Sequence, residues 1–344
     1  MAVTLHRYKV GNSELTIAGI AEDADDDAFD PNFFDEGYSL AAQTAYSVWE
    51  GAAFLLAFLQ RSDEPCAVTL RVLLGAVLPS RPHQLTIGTN DAAQPVVQLL
   101  PPQRIVELGS GTGAAGLGLA LLGCQVLLTD VAPVVESMRN NIASNAQPYP
   151  SPASPFGPLV SSVVADAPPA TSWMPDARAV GAGWAAAQSL NWMFPLSAQR
   201  SPADPCAARV VLATETTWLR ELVDPFVGMT AVLLASPLTS AVIHPDELPT
   251  TTAGTVQTDE HAIFAHLRAH PWLKWALWVY KERGTATSDT FTTFAGVTAT
   301  FASAGCRVYT VYREASSEDP GQDVRINVVV SASACGDVVV AGAC

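Results

Sequence analysis

The stretch that most constrains this chain runs from Arg104 to Val131, "RIVELGSGTGAAGLGLALLGCQVLLTDV". An apolar run, "IVEL", leads into a glycine turn. The helix "AAGLGLALLG" follows, closed by Gly123, and the run "QVLLTD" ends at Asp130. That order is strand, helix, strand, and a crossover of this kind is right-handed and builds a parallel sheet.

The turn contains a literal G-x-G-x-x-G at Gly111, Gly113 and Gly116, the spacing of a dinucleotide loop. In a dinucleotide fold, however, the first glycine directly follows the strand, so that a pyrophosphate rests on the helix N-terminus. Here that glycine is Gly109, and the spacing becomes Glu107-x-Gly109-x-Gly111-x-Gly113, with a carboxylate at the strand end. Such a charge weakens a phosphate site and favours a ligand carrying an ammonium group. S-adenosyl-L-methionine carries that cation, and its ribose offers two hydroxyls to an acid at the end of the next strand. Asp130, 21 residues after Gly109, stands there. Glycine permits close approach of backbone to ligand.

Around this unit the pattern alternates. "YSVWEGAAFLLAFLQ" from Tyr46 is an amphipathic helix, and "VVESMRNNIASNA" is another. Strands begin at Val211 and at Trp275, "WALWVYKE". The expectation is an α/β protein with a doubly wound, mostly parallel seven-stranded sheet. The apolar stretches "CAVTLRVLLGAVLPS" and "HQLTIGTNDAAQPVVQLLPP" carry no decisive period and stay unassigned.

Gln147–Gly183 holds eight prolines among Ser, Ala and Gly, and Pro237–Asp259 is rich in Thr and Pro. Both read as insertions, near 147–183 and 237–259, in a single domain spanning 41–344. Residues 1–40 read as an acidic N-terminal arm, with the acids concentrated in "EDADDDAFDPNFFDE" at 22–36. Asp23, Asp25 and Asp27 have the alternate spacing of a calcium loop, but Ala28 replaces its turn glycine and Phe34 its bidentate glutamate.

Composition narrows the function classes. A formal charge of −15 with no Lys/Arg stripe disfavours nucleic acid and favours a basic protein partner. No apolar run is long enough to span a bilayer, and the first residues lack a signal-peptide pattern. Six cysteines without a C-x-x-C pair point to reduced thiols in a cytoplasmic or nuclear compartment, with no metal site. His261, His266 and His270 include an i, i+4 pair but no HExxH pattern, so they read as a solvated helix face.

The ordered set "VWEGAAFLLAFL", "VELGSGTGAAG", "LLTD", "SLNW" at Ser189–Trp192, "VLATETTWLRELVDPF" and "VYKERG" resembles the seven-β-strand (class I) protein lysine methyltransferases. The resemblance extends from about Tyr46 to Tyr312, interrupted by the two insertions. It implies a Rossmann-like methyltransferase domain using S-adenosyl-L-methionine, a cofactor loop at Glu107, Gly109, Gly111 and Gly113, Asp130 on the ribose, and Trp49 and Trp192 bordering the cofactor, with Trp192 near the adenine. The family's Asp-x-x-Tyr after the fourth strand is replaced here by Glu215-Thr-Thr-Trp218. These two are the candidate catalytic residues. Trp218 would wall the acceptor channel and Glu215 would orient the acceptor nitrogen.

The reading is therefore a protein N-methyltransferase acting on lysine. Relatives that methylate protein histidine also carry glutamate at the first position of that motif, which keeps histidine open as acceptor. Two further alternatives are a non-catalytic methyltransferase-like adaptor and, less compatible with Glu107, a nicotinamide dehydrogenase. "ATETTW" lacks the Asn-Pro-Pro-Tyr that enzymes methylating nucleobase amines or glutamine amides often carry there.

Overall fold

The computed structural model describes residues 3–20, 46–76, 102–146, 173–199, 201–238, 262–283 and 290–334. Its centre is an eight-stranded sheet of β3 (Arg104–Leu108), β4 (Gln125–Asp130), β5 (Arg178–Val180), β6 (Gly183–Ser189), β7 (Val210–Thr214), β8 (Trp275–Lys281), β9 (Cys306–Ala315) and β10 (Asp323–Ser331). Their spatial order is β5-β6-β4-β3-β7-β8-β10-β9. Strands β6, β4, β3, β7 and β8 run parallel, and β10 is antiparallel to both β8 and β9. This is the doubly wound, mostly parallel seven-stranded sheet expected, with the short antiparallel β5 added at one edge.

The chain winds outward from β3 through β4 to β6, then returns to β7 on β3's other side. The C-terminal ends of β3 and β7 therefore flank the point where the winding reverses, which is where such sheets leave a crevice for a ligand. Two apolar layers cover the two faces of the sheet. Because helices shield both faces, the inner strands are continuously apolar: every residue of β8, "WALWVYK", is buried.

On one face lie α1 (Glu50–Leu59), α2 (Pro65–Leu74), α3 (Ala114–Leu121) and α4 (Val135–Asn145). Helix α3 is apolar all round, and all of its residues are buried between β4 and α1. Of the unassigned stretch from Cys66, residues 66–74 belong to helix α2; the second unassigned stretch, from His83, lies almost entirely outside the described residues. Pro65 stands in its first turn, the Glu64 side chain accepts from the Cys66 amide, and Gly75 closes it in the left-handed conformation. On the other face α5 (Arg220–Ala235) and α7 (Phe294–Ser303) pack, while α6 (Ala262–Ala269) precedes β8. The His266 and His270 rings are tilted against each other at 4.3 Å, and His270 Nδ1 meets the His266 carbonyl. His261 lies outside the described residues.

The sequence reading did not anticipate one element. Within the segment read as an arm, β1 (Val3–Val10) and β2 (Ser13–Ile20) form an antiparallel hairpin. Two asparagines on α4, one turn apart, act as a substitute strand for its edge. Asn141 Oδ1 accepts from the Ala18 amide and its Nδ2 donates to the Ala18 carbonyl, and Asn145 does the same for Thr16. Each side-chain amide supplies the donor and acceptor that a neighbouring peptide would. The acidic stretch 22–36 and most of the two expected insertions lie outside the described residues; the end of the first, at 178–180, is β5. Among the described residues no helix is long and apolar enough to cross a membrane.

Candidate active site

A cleft open to solvent lies over the C-terminal ends of β3, β4, β6 and β7. Four chain segments after these strands and the segment before α1 converge on it. The structure brings Trp49, Gly109, Gly111, Asp130, Trp192, Glu215 and Trp218 to its wall.

The glycine loop is held by β4. The Thr129 hydroxyl donates to the Glu107 carbonyl at 2.6 Å, and the Thr129 amide donates to the Ser110 hydroxyl at 2.9 Å. Asp130 fastens the loop from the cavity side: one oxygen accepts from the Gly111 amide at 2.8 Å, the other from the Val131 amide at 2.7 Å. Burial pushes its pKa up to about 6, with those two amides opposing the rise. Gly109 has φ +64, and a Cβ there would meet the Thr216 methyl at 2.7 Å and the Trp192 ring at 2.9 Å. Only glycine allows both that backbone and the indole packed across it.

Glu107 and Gly113 are not on the cavity wall. Gly113 is the residue before α3, its amide bonded to the Ser110 carbonyl at 2.7 Å. Glu107 shares its strand face with Ile105, toward α3, because side chains alternate along β3. Its carboxylate is 1% exposed, lies beneath Gly116, and neither oxygen has a hydrogen-bond partner among the described residues. Burial raises its pKa to about 8; the polar groups of Ser110 and the Gly116 amide lie close enough to offset that in part without completing a hydrogen bond, and Asp130 adds to it. The carboxylate expected to face a ligand's ammonium is thus under the loop rather than in the cleft.

At the other end of the cleft, Glu215 follows β7 with φ +54, a left-handed conformation that is costly for a non-glycine residue. Three bonds hold it. Its amide donates to the Val279 carbonyl at 2.9 Å, one carboxylate oxygen accepts from the Gly51 amide, and the other pairs with Arg283 at 2.7 Å. The Arg283 guanidinium in turn lies 4.4 Å from the centre of the Trp49 ring, a cation–π contact. Trp49 and Trp218 are 5.8 Å apart, and Phe291 extends the aromatic wall at 6.3 Å.

Arg283 and Gly51 are site residues that sequence reasoning missed. A signal for Arg283 was present: "VYKERG" puts this arginine two residues after the buried run of β8, the strand beside β7.

The residues fit the cofactor expected from the sequence. The cleft combines a glycine loop that lines it at Gly109 and Gly111, an acid at the end of β4, and two buried polar atoms, Trp192 Nε1 and Thr216 Oγ1, that have no protein partner among the described residues. Among the described residues no cluster of His, Cys, Asp or Glu is arranged to hold a metal ion.

The chain has partial similarity to known proteins. A family model described as "Lysine methyltransferase" matches residues 37–154. "Protein N-lysine methyltransferase METTL21A" from Mus musculus is 45% identical over 47 residues, 14% of this chain and 22% of that protein. Its counterpart from Danio rerio is 44% identical over 46 residues, 13% of this chain and 21% of that protein. The chain thus spans about a fifth of the length of these curated relatives. A solved structure, an O-methyltransferase family protein from Burkholderia thailandensis, aligns with 85% of this chain and 59% of its own, at 8% identity and a TM-score of 0.40. The matched segment, 37–154, is the one that carries the glycine loop and Asp130.

Proposed function

We propose that this chain is an S-adenosyl-L-methionine-dependent methyltransferase acting on a protein side-chain nitrogen, with lysine the acceptor that the family match favours. The observation that carries the reading is the cleft itself. Its β3–β4 end has the loop and acid suited to the cofactor, and its β7 end an aromatic wall suited to a nitrogen acceptor.

In this reading Asp130 and the loop around Gly109 and Gly111 hold the cofactor, with Trp49 and Trp192 bordering it. Gly113 and Glu107 shape the loop from outside the cleft. S-adenosyl-L-methionine, when bound, supplies an electrophilic methyl group on a sulfonium. The chain has to align a neutral nitrogen and exclude water, and it needs little acid–base machinery. Trp49 and Trp218 line a channel that strips water from an incoming amine and so favours its neutral form. Their π faces suit the cationic product that methylation creates. A net charge of −15 favours a substrate with a basic surface.

Histidine stands as a second acceptor. Glu215 is already engaged by Gly51 and Arg283, and a neutral imidazole asks for no free carboxylate.

The test is binding followed by transfer. S-adenosyl-L-methionine and its demethylated product should raise the melting temperature, and NAD should not. Isotope-labelled cofactor incubated with a cell extract should then place label on a protein nitrogen located by mass spectrometry. Stabilisation by NAD alone would remove the reading. Cofactor binding with no labelled protein in any extract would favour the adaptor.

A further inference from the structure

The acceptor end of the cleft is unusual in how its charge is arranged. Among the described residues lining the cleft, Asp130 and Glu215 are the only acids, and no Lys or Arg is among them. Asp130 belongs to the loop end, with each oxygen accepting from a backbone amide. Glu215 would be the natural counter-ion for a protonated amine entering between Trp49 and Trp218. Its side chain, however, is 1% exposed, and both oxygens are taken, one by the Gly51 amide and one by Arg283. Arg283 reaches it from outside the cleft, from the end of β8, and is kept there by the Trp49 ring beneath its guanidinium. An ammonium in this channel would lose its hydration without gaining a free anion, and two neighbouring charges, one positive, would already be paired.

Resting on the methyltransferase reading, we propose that Arg283 is a positioning residue that sets the charge state of the acceptor: by holding the Glu215 carboxylate it leaves the aromatic channel without a free anion, so the channel takes a nitrogen base that is neutral on entry. Selectivity here works by denying a partner to the wrong form rather than by adding a contact to the right one. An imidazole is admitted as it stands. A lysine is admitted only in its deprotonated form, so the channel discriminates before transfer.

The experiment titrates two small probes into the full-length protein at about pH 8.5, where imidazole is neutral and n-butylamine is charged. Binding is followed by NMR with saturating S-adenosylhomocysteine and again without it. Wild type should bind imidazole at least tenfold more tightly than n-butylammonium. Arg283→Gln frees the Glu215 carboxylate and should shift that ratio at least tenfold toward n-butylammonium, a change of preference that mere loosening of the fold would not produce. Arg283→Lys keeps the charge and should retain the wild-type preference.

Wild type binding n-butylammonium as tightly as imidazole, or an Arg283→Gln protein with an unchanged ratio, overturns the proposal, and absence of both probes from both proteins does so too. If Arg283→Gln does not fold, the wild-type ratio alone decides. Failure of S-adenosylhomocysteine to bind would overturn the cofactor reading separately, since it is observed in the same samples.

Discussion

The main-chain amide of Gly51, in the first turn of α1, donates to the carboxylate of Glu215 after β7, a residue 164 positions further along the chain. One hydrogen bond thereby joins the helix that carries Trp49 to the segment that carries Trp218, and the two indoles face each other across the resulting corner. It also helps to offset the left-handed backbone of Glu215, which a free loop would relax.

Gly51→Ala tests that joint. A Cβ at this position would stand 2.8 Å from Glu215 Cγ and Oε2, so the carboxylate has to move. Alanine is otherwise the better helix former, and on an unobstructed helix it would stabilise. Here denaturant unfolding should show a loss of about 1–3 kcal/mol, the usual cost of overpacking. A gain in stability would mean that Glu215 does not occupy this position in solution.

Two of the buried acids make stability fall as pH rises. Glu107, raised from 4.5 to about 8, and Asp130, raised from 3.8 to about 6, bind protons more tightly in the folded protein than in the unfolded chain. Their ionisation costs stability across the window from about pH 4 to about pH 8. Glu107→Gln keeps the shape and removes the ionisation. It should flatten this slope and, relative to wild type, gain at least about 1.4 kcal/mol at pH 8 over its effect at pH 5, the equivalent of one pKa unit. Unfolding free energies at the two pH values decide it, and parallel profiles would show that Glu107 is hydrated in the folded state.

Much of this architecture is legible in the sequence wherever a local pattern decides it. The β3–α3–β4 unit is one such case, since an apolar run, a glycine turn and a capped apolar helix admit little else. Helix α2 is the opposite case: eight apolar and β-branched residues are too few to separate helix from strand, and the decision falls to the Glu64 cap and to Gly75. The β1–β2 hairpin depends on Asn141 and Asn145 of α4, more than 120 residues away, which no local window contains. Side-chain direction is the other blind spot. Glu107 lies at the end of a cleft-forming strand, but the alternation of β3 sends it under α3, and Arg283 reaches Glu215 only because β8 happens to lie beside β7.

Lys281 and Glu50 form an ion pair at 2.7 Å with both side chains 5% exposed. Burial pushes the Glu50 pKa up, but bonds from Lys281, Ser316 and Ser317 together outweigh it and hold the carboxyl near 2. Its contribution is present above 4.5 and lost as pH falls toward 2. Lys281→Met leaves the carboxylate buried with only its serine partners, and should cost about 3 kcal/mol in unfolding free energy at neutral pH. Adding Glu50→Gln to it should recover part of that loss. A double variant no better than the single would place the damage in packing rather than charge.

Asp130→Ala removes the acid expected to hold the cofactor's ribose and also frees the Gly111 and Val131 amides that define the loop. Affinity for S-adenosyl-L-methionine should fall by about 1.5–3 kcal/mol, the range for hydrogen bonds to a charged group, while the protein stays folded. Calorimetric titration and thermal melting on the same sample separate the two effects. Unchanged affinity would remove Asp130 from the cofactor site.

Glu215 and Trp218 lie at the acceptor end of the cleft, away from the loop, so their loss should show in transfer rather than in cofactor affinity. Trp218→Ala removes one wall of the channel, but it also takes away the ring between Trp49 and Phe291 and so costs packing energy as well. Glu215→Gln is the cleaner probe, because the amide oxygen still accepts from Gly51 while the ion pair with Arg283 is lost. Both variants should leave the dissociation constant for S-adenosyl-L-methionine nearly unchanged and lower the rate of protein methylation at least tenfold, about 1.4 kcal/mol of transition-state stabilisation. The measurement is label transfer to the substrate found with wild type, at saturating cofactor. A Glu215→Gln protein that methylates at the wild-type rate would show that the carboxylate's charge has no part in aligning the acceptor. It would leave the conformation of the segment after β7 as the only reason for an acid there.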